Sequence, residues 1–244
     1  MATILAVDTS TEACSVTLAR DSVLSHCYEL VPRQHNQRIF AQLDEVLPAG
    51  PLKEAAVDVL AYTHGPGSFT GLRIAASAVQ GLAYSSDLPV VGVSTLACMA
   101  QGAWRRGELA QDQLAIVLLD ARINELYWGL YEYRQGLATA LCEDAVSAPA
   151  DMPADLFAAM NIEPQTPDAQ VVALGNGLKY IDELPASLAG KLSHLDTDIW
   201  PDSQDIIPLA QAEYAQSRTH SAVDVHPVYL RNEINWKKVH EQGR

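Results

Sequence analysis

The sequence predicts an α/β protein of two related lobes, and three observations carry that prediction. Short apolar runs of strand length alternate with segments whose apolar residues recur at helical spacing. A glycine-rich turn, Gly65-Pro66-Gly67-Ser68-Phe69-Thr70-Gly71-Leu72-Arg73, joins one such strand to one such helix. A strand–aspartate–turn–strand unit occurs twice, so that Asp8 matches Asp120 and Leu18 matches Leu130.

In chain order, 4–7 reads as a buried strand ending at Asp8, 9–12 as a turn and 14–19 as an alternating strand. A third strand is expected at 23–30, with Asp21 in the turn before it. Residues 35–47 have helical spacing, with Ile39, Phe40, Leu43, Val46 and Leu47 on one face, and Pro48-Ala49-Gly50-Pro51 stops the run. A short helix near 52–56, a strand at 57–63, the glycine-rich turn and a helix at 74–84 follow. Ser68 or Thr70 can cap that helix by accepting an orphan N–H. A strand at 90–93 leads to a helix at 95–106 started by Ser94. The second unit opens with a strand at 115–120, a turn at 121–124 and a strand at 126–133. Residues 149–167 read as a short helix between loops, and 171–174 as a strand running into Gly175-Asn176-Gly177. Residues 185–202 read as polar and irregular, and 203–217 as a helix with Ile206, Ile207, Ala210 and Tyr214 inward. The division is an N-terminal lobe (1–107), a C-terminal lobe (108–220) and a tail (221–244) that is locally basic and lies along the surface.

Composition narrows the function. With 244 residues, 48% of them hydrophobic and 19% charged, the chain is globular. Its net charge of −14 opposes autonomous binding to phosphate backbones, whose affinity comes from counterion release by Lys and Arg, and favours a basic partner surface. No apolar stretch approaches the roughly 18 residues of a membrane span, and 4–7 is too short for a signal-peptide core, so a soluble cytoplasmic protein is expected. Cys14, Cys27, Cys98 and Cys142 form no C-x-x-C pair and read as reduced thiols. The seven histidines include no pair at i, i+3 or i, i+4, so no metal site is expected. Ser68 lacks the G-x-S-x-G context of a hydrolase nucleophile.

Two features stay open between chemistry and architecture. Asp8, followed by Thr9, Ser10 and Thr11, suits a metal-bound phosphate at a strand end, or an Asx-turn to Ser10 or Thr11. The 65–73 turn is neither a Walker A loop nor a G-x-G-x-x-G fingerprint; it suits an anion or a close-packed neighbour. Asp8, Thr9, Ser10, Gly65 and Gly67 are therefore the weak candidates for holding a nucleotide. The 74–84 helix carries small residues at Ala75, Ala76, Ala78, Gly81 and Ala83, which let another helix approach. Its polar positions, Arg73, Ser77, Gln80 and Tyr84, fall on one stripe. Core or subunit interface is favoured over ligand binding; spacing does not decide whether Ala76 or Ala78 would face a partner.

With residues 4–11, the 65–73 turn and Tyr229-Leu230-Arg231-Asn232 in hand, the chain resembles the TsaB (YeaZ) family over its whole length. The resemblance implies an actin-like fold of the Hsp70/sugar-kinase superfamily, made of two RNase H-like lobes. It implies a role in threonylcarbamoylation of the adenosine at position 37, next to the anticodon, in tRNAs reading codons that begin with A. There the family is a non-catalytic scaffold and activator of the related subunit TsaD, joined by the ATPase TsaE. It has no cofactor of its own, forms a homodimer when alone, and meets tRNA only within the complex. TsaD holds its metal with a histidine pair; here His35 begins the corresponding helix but position 39 is Ile39. The resemblance also implies that helices 35–47 and 71–84 make the dimer surface, with Ile39, Phe40, Leu43, Leu72, Arg73, Ala75, Ala76 and Val79 as contact residues. The competing readings are an actin-like ATP-dependent phosphotransferase using Asp8 with the Gly65–Gly71 and Gly175 turns, and a metalloprotease, for which ligands are lacking.

Overall fold

The computed structural model describes residues 1–47, 52, 55–160, 170–195 and 198–231. Its first sheet comprises β1 (Ile4–Asp8), β2 (Ala13–Arg20), β3 (Val23–Leu30), β4 (Val59–Gly65) and β5 (Val90–Ser94), in the order β3-β2-β1-β4-β5. β1, β2 and β3 form an antiparallel meander, while β4 and β5 run parallel to β1. Parallel neighbours need a crossover, and α2 (Phe69–Ser86) supplies the one between β4 and β5, with α1 (His35–Val46) packed beside it.

The second sheet repeats that plan. β6 (Leu114–Arg122), β7 (Glu125–Arg134), β8 (Leu137–Ala140), β10 (Val171–Leu174) and β11 (Leu192–His194) lie in the order β8-β7-β6-β10-β11, and β9 (Ala145–Ser147) adds to β7. Matching strands thus hold matching places, and Asp8 and Asp120 stand near the ends of the two equivalent strands. This is the actin-like arrangement of two RNase H-like lobes.

Alternation along the strands decides the layers. Leu5 and Val7 face α1 and α2, in a core with Ile39, Leu43, Ala75 and Val79. Ile4 and Ala6 face the other way, into a core shared with α3 (Thr95–Arg105), α6 (Ser203–Ala215) and one face of the second sheet. The outer face of the second sheet is covered by the 3₁₀ helix Asn176–Glu183, α4 (Leu156–Met160) and α5 (Ala186–Ala189). α6 follows the second sheet in the chain yet returns to pack across β1, β2, β4 and β5 of the first. No helix among the described residues is long and apolar enough to cross a membrane.

The structure alters several expectations. α2 begins at Phe69 rather than at 74, because Ser68 is the cap: its Oγ accepts from the Gly71 N–H at 3.3 Å, and Thr70 lies inside the helix. β6 runs through the expected turn to Arg122, and the chain reverses over Arg122, Ile123 and Asn124, all at positive φ. The stretch 185–202 is not irregular throughout, since it holds α5 and β11. Ile206 and Ala210 are buried as expected, while Ile207 and Tyr214 are only half-buried. The Pro48–Pro51 stop, residues 53 and 54 of the expected 52–56 helix, Asn232 and the basic segment 236–238 lie outside the described residues, while Leu52, Ala55 and Ala56 are in turns rather than a helix, with Ala56 at φ 51°.

Candidate functional site

Asp8 ends β1 on the side that faces α6, and its carboxylate is fully buried. Its Oδ1 accepts from Ser10 Oγ at 2.6 Å, Thr63 Oγ1 at 2.5 Å and the Ser10 N–H at 3.2 Å, which is an Asx-turn reinforced from the neighbouring strand. Its Oδ2 is buried without a hydrogen-bond partner. Burial pushes the carboxyl up to about 6, against the hydrogen bonds from Ser10 and Thr63 that pull it down. The start of α6 closes this corner: the Ser203 N–H donates to Ser15 Oγ at 2.8 Å, and the Ser203 and Thr17 hydroxyls lie 2.7 Å apart. The carboxylate is thus enclosed rather than open to solvent.

The glycine turn is occupied with its neighbours. A Cβ on Gly67 would lie 2.3 Å from the Ser10 carbonyl oxygen, and one on Gly71 2.0 Å from that of Thr9, so neither position admits a side chain. The Ser68 N–H donates to the Ser10 carbonyl at 2.7 Å, and Thr9 Oγ1 donates to the Gly71 carbonyl at 2.7 Å. Close packing of backbone on backbone, one of the two uses left open by the sequence, is thus present at Gly67 and Gly71. Gly175 is similar: at φ 100°, its Cβ would lie 2.5 Å from the Leu118 carbonyl.

Between the lobes lies a cleft of about 1170 Å³ that both units line, with Ser10, Gly67 and Ser68 on one side and Asp120, Asn176 and Trp200 on the other. Burial would raise the pKa of Asp120, but Lys179 Nζ at 2.7 Å and the Arg122 N–H at 3.0 Å hold it below the usual carboxylate range. The two equivalent aspartates thus differ in kind, one sealed among hydroxyls and the other neutralised by a lysine. Lys179 was not singled out from the sequence; its place one helical turn beyond Gly175 was the available signal. Among the described residues, no group of three His, Cys, Asp or Glu side chains is placed to hold a metal ion. His35 is buried, with Nε2 at 3.1 Å from the Ala13 carbonyl, and burial lowers its pKa.

The structure sorts the expected contact residues into two groups. Ile39, Leu43, Leu72, Ala75 and Val79 are packed in the chain's own core, and Ala76 is 6% exposed, so these do not form a free surface. The reason is geometric: the alanine face of α2 is the one that lies on the first sheet, whereas Gly81 is exposed. Ala78 is turned inward as well. Phe40 and Arg73 remain outside, and the outward stripe of α2 is Arg73, Ser77, Gln80 and Tyr84. Phe40, Phe69 and Tyr84 are 59%, 50% and 76% exposed, a large apolar commitment to solvent for one helix pair. Phe69 was missed as a surface group because nothing local distinguishes an outward aromatic from a core one, whereas Tyr229 belongs to the tail expected along the surface and is 41% exposed.

Comparison with known proteins adds the family. A family model described as TsaD, tRNA N6-adenosine threonylcarbamoyltransferase, matches residues 28–236. The tRNA threonylcarbamoyladenosine biosynthesis protein TsaB of Escherichia coli K12 is 35% identical, with 97% of each chain covered. The Haemophilus influenzae protein of the same name is 36% identical, again with 97% of each covered. The solved structure of YeaZ from Pseudomonas aeruginosa is 35% identical and superposes with a TM-score of 0.80, covering 94% of this chain and 100% of that one.

Proposed function

The chain belongs to the TsaB (YeaZ) family, and from that premise we propose that it is a non-catalytic subunit of the machinery that makes threonylcarbamoyladenosine in tRNA. It acts as scaffold and activator of a TsaD-type catalytic subunit, with a TsaE-type ATPase as third member, in the cytoplasm. The modified base is the adenosine at position 37 of tRNAs reading codons that begin with A. Alone the chain forms a homodimer; it needs no cofactor, and it meets tRNA only inside the assembly, as its net charge of −14 favours.

The observation that carries the non-catalytic reading is the state of Asp8. A carboxylate that served a magnesium–nucleotide pair would face the cleft, whereas this one is enclosed by Thr63, Ser10 and the start of α6. The scaffold half of the reading rests on the exposed stripe of α2 with Phe40 of α1, where a sister subunit can bury aromatic surface. The basis for an actin-like phosphotransferase weakens correspondingly, since the glycine turns spend their freedom on the chain's own carbonyls.

Reconstitution with TsaD and TsaE, with and without this chain, tests the proposal. Modified tRNA should appear only with the chain present, and the isolated chain should neither bind ATP tightly nor turn it over. ATP hydrolysis by the chain alone, abolished by Asp8→Ala, would overturn the reading.

A further inference from the structure

We propose that residues 219–231 form a strap that holds the two lobes at their separation and ties that separation to the outward face of α2. The second half of this proposal rests on the reading of that face as the partner surface. On the first lobe the strap is fastened along its length. His220 and Val90 exchange two backbone hydrogen bonds of 2.9 Å, and Gln80 Nε2 of α2 donates to the Ala222 carbonyl at 3.0 Å. Val225 is buried in the first-lobe core, Tyr62 OH donates to the His226 carbonyl at 3.0 Å, and the Val228 N–H donates to the His64 carbonyl at 2.7 Å. The strap backbone lies so close that a Cβ on Gly65, at φ 128°, would stand 2.5 Å from the Val228 carbonyl oxygen.

Its far end reaches the other lobe. Arg231 donates to the carbonyls of Ala121 at 3.2 Å and Arg122 at 3.3 Å, and pairs with the Glu125 carboxylate. Those carbonyls belong to the β6–β7 turn, where Arg122, Ile123 and Asn124 take φ of 65°, 54° and 56° in succession. Three L-residues in a row in that region are costly, so the turn needs holding from outside. One guanidinium nitrogen, Nη2, makes all three contacts, to two carbonyl oxygens and a carboxylate.

Between these ends the strap shares side chains with α2. Tyr229 lies on Phe69 with ring centroids 5.4 Å apart, its hydroxyl accepts from Arg73 Nε at 3.0 Å, and the Arg73 guanidinium sits 3.8 Å from the Phe69 ring centre. A partner docking on Phe69 and Arg73 meets Tyr229 with them. Seating of the strap and binding of the partner are therefore linked, and each biases the other by the same factor.

Arg231→Ala cuts the second-lobe end without touching α2. Amide hydrogen exchange across residues 121–126 should accelerate about tenfold, as expected for loss of a charge-assisted hydrogen-bond set. Glu125→Gln, which keeps both carbonyl bonds, should give a smaller acceleration. TsaD affinity should fall several-fold in Arg231→Ala. Unchanged exchange in that variant would overturn the strap. Faster exchange with TsaD affinity unchanged, while Ser77→Arg abolishes TsaD binding, would overturn the linkage and leave the partner face standing. If Ser77→Arg also binds TsaD normally, the partner face itself is wrong.

Discussion

Asp8 shows how far one residue can be read. Its type and its place at a strand end are visible in the sequence, and so is the choice between an Asx-turn and a metal ligand. What decided the choice was Ser203, nearly two hundred residues away, whose backbone and hydroxyl close the corner over Ser15 and Thr17. The buried carboxyl carries a pH signature. Its pKa is raised in the fold to about 6, so the folded chain binds that proton more tightly than the unfolded chain does. The cost of burying the charge is absent well below the unfolded value and is complete once the pH has risen through about 6. Asparagine keeps an oxygen for Ser10 and Thr63 to donate to. From pH 4 to pH 8, denaturant titrations should therefore show Asp8→Asn gaining on the wild type by roughly 2 kcal/mol, with modified-tRNA yield unchanged. A stability difference that stays flat with pH would mean the carboxylate is solvated.

At the scale of elements, α2 was legible as a helix and half-legible as a surface. Its small residues and its polar stripe were both plain in the sequence, and both readings offered, core and interface, turn out to describe the same helix. The alanines pack on the first sheet, while Arg73, Ser77, Gln80 and Tyr84 face outward. Substitutions should separate the two faces. Ser77→Arg should leave the melting curve in place and weaken binding to the TsaD subunit by about 30-fold or more, which is about 2 kcal/mol. Ala76→Arg and Ala78→Arg put a charge into the fold and should instead lower the chain's own stability. Calorimetry of binding beside thermal melts distinguishes these outcomes. The elements that escaped the sequence were short ones at sheet margins: β8, β9 and β11 have three or four residues each, too few for a period to declare itself.

At the scale of the whole molecule, the lobes are joined by a core that neither owns, since α3 and α6 lie between the sheets. The seam has a titratable clasp. His26 of β3 meets the Asp202 cap of α6, with Nε2 3.4 Å from Oδ1, and Arg105 of α3 pairs with Asp205 at 2.5 Å. The hydrogen bond to Asp202 raises the His26 pKa above its ordinary value, against the opposing effect of burial. Sharing with His26 and Gln204 outweighs burial at Asp202 and lowers its pKa. A histidine proton held more tightly in the fold stabilises fully below the unfolded value near 6.5 and is lost as pH rises through the raised folded value. The stability gap between wild type and His26→Gln should thus be widest near pH 5.5 and narrow toward alkaline pH. A gap that widens with pH would show that the pair is not formed.

Local patterns in the sequence suffice for the α/β class, the doubled lobe, the helix cap at Ser94, and the family motifs, because each is set by residues within a few positions of one another. Whether Asp8 is reactive or sealed, which side of α2 is free, and where the tail is fastened all depend on contacts between residues far apart in the chain. Such contacts arise only when α6 and the strap return to the first lobe, and burial and pKa follow from that return rather than from any neighbourhood in the sequence.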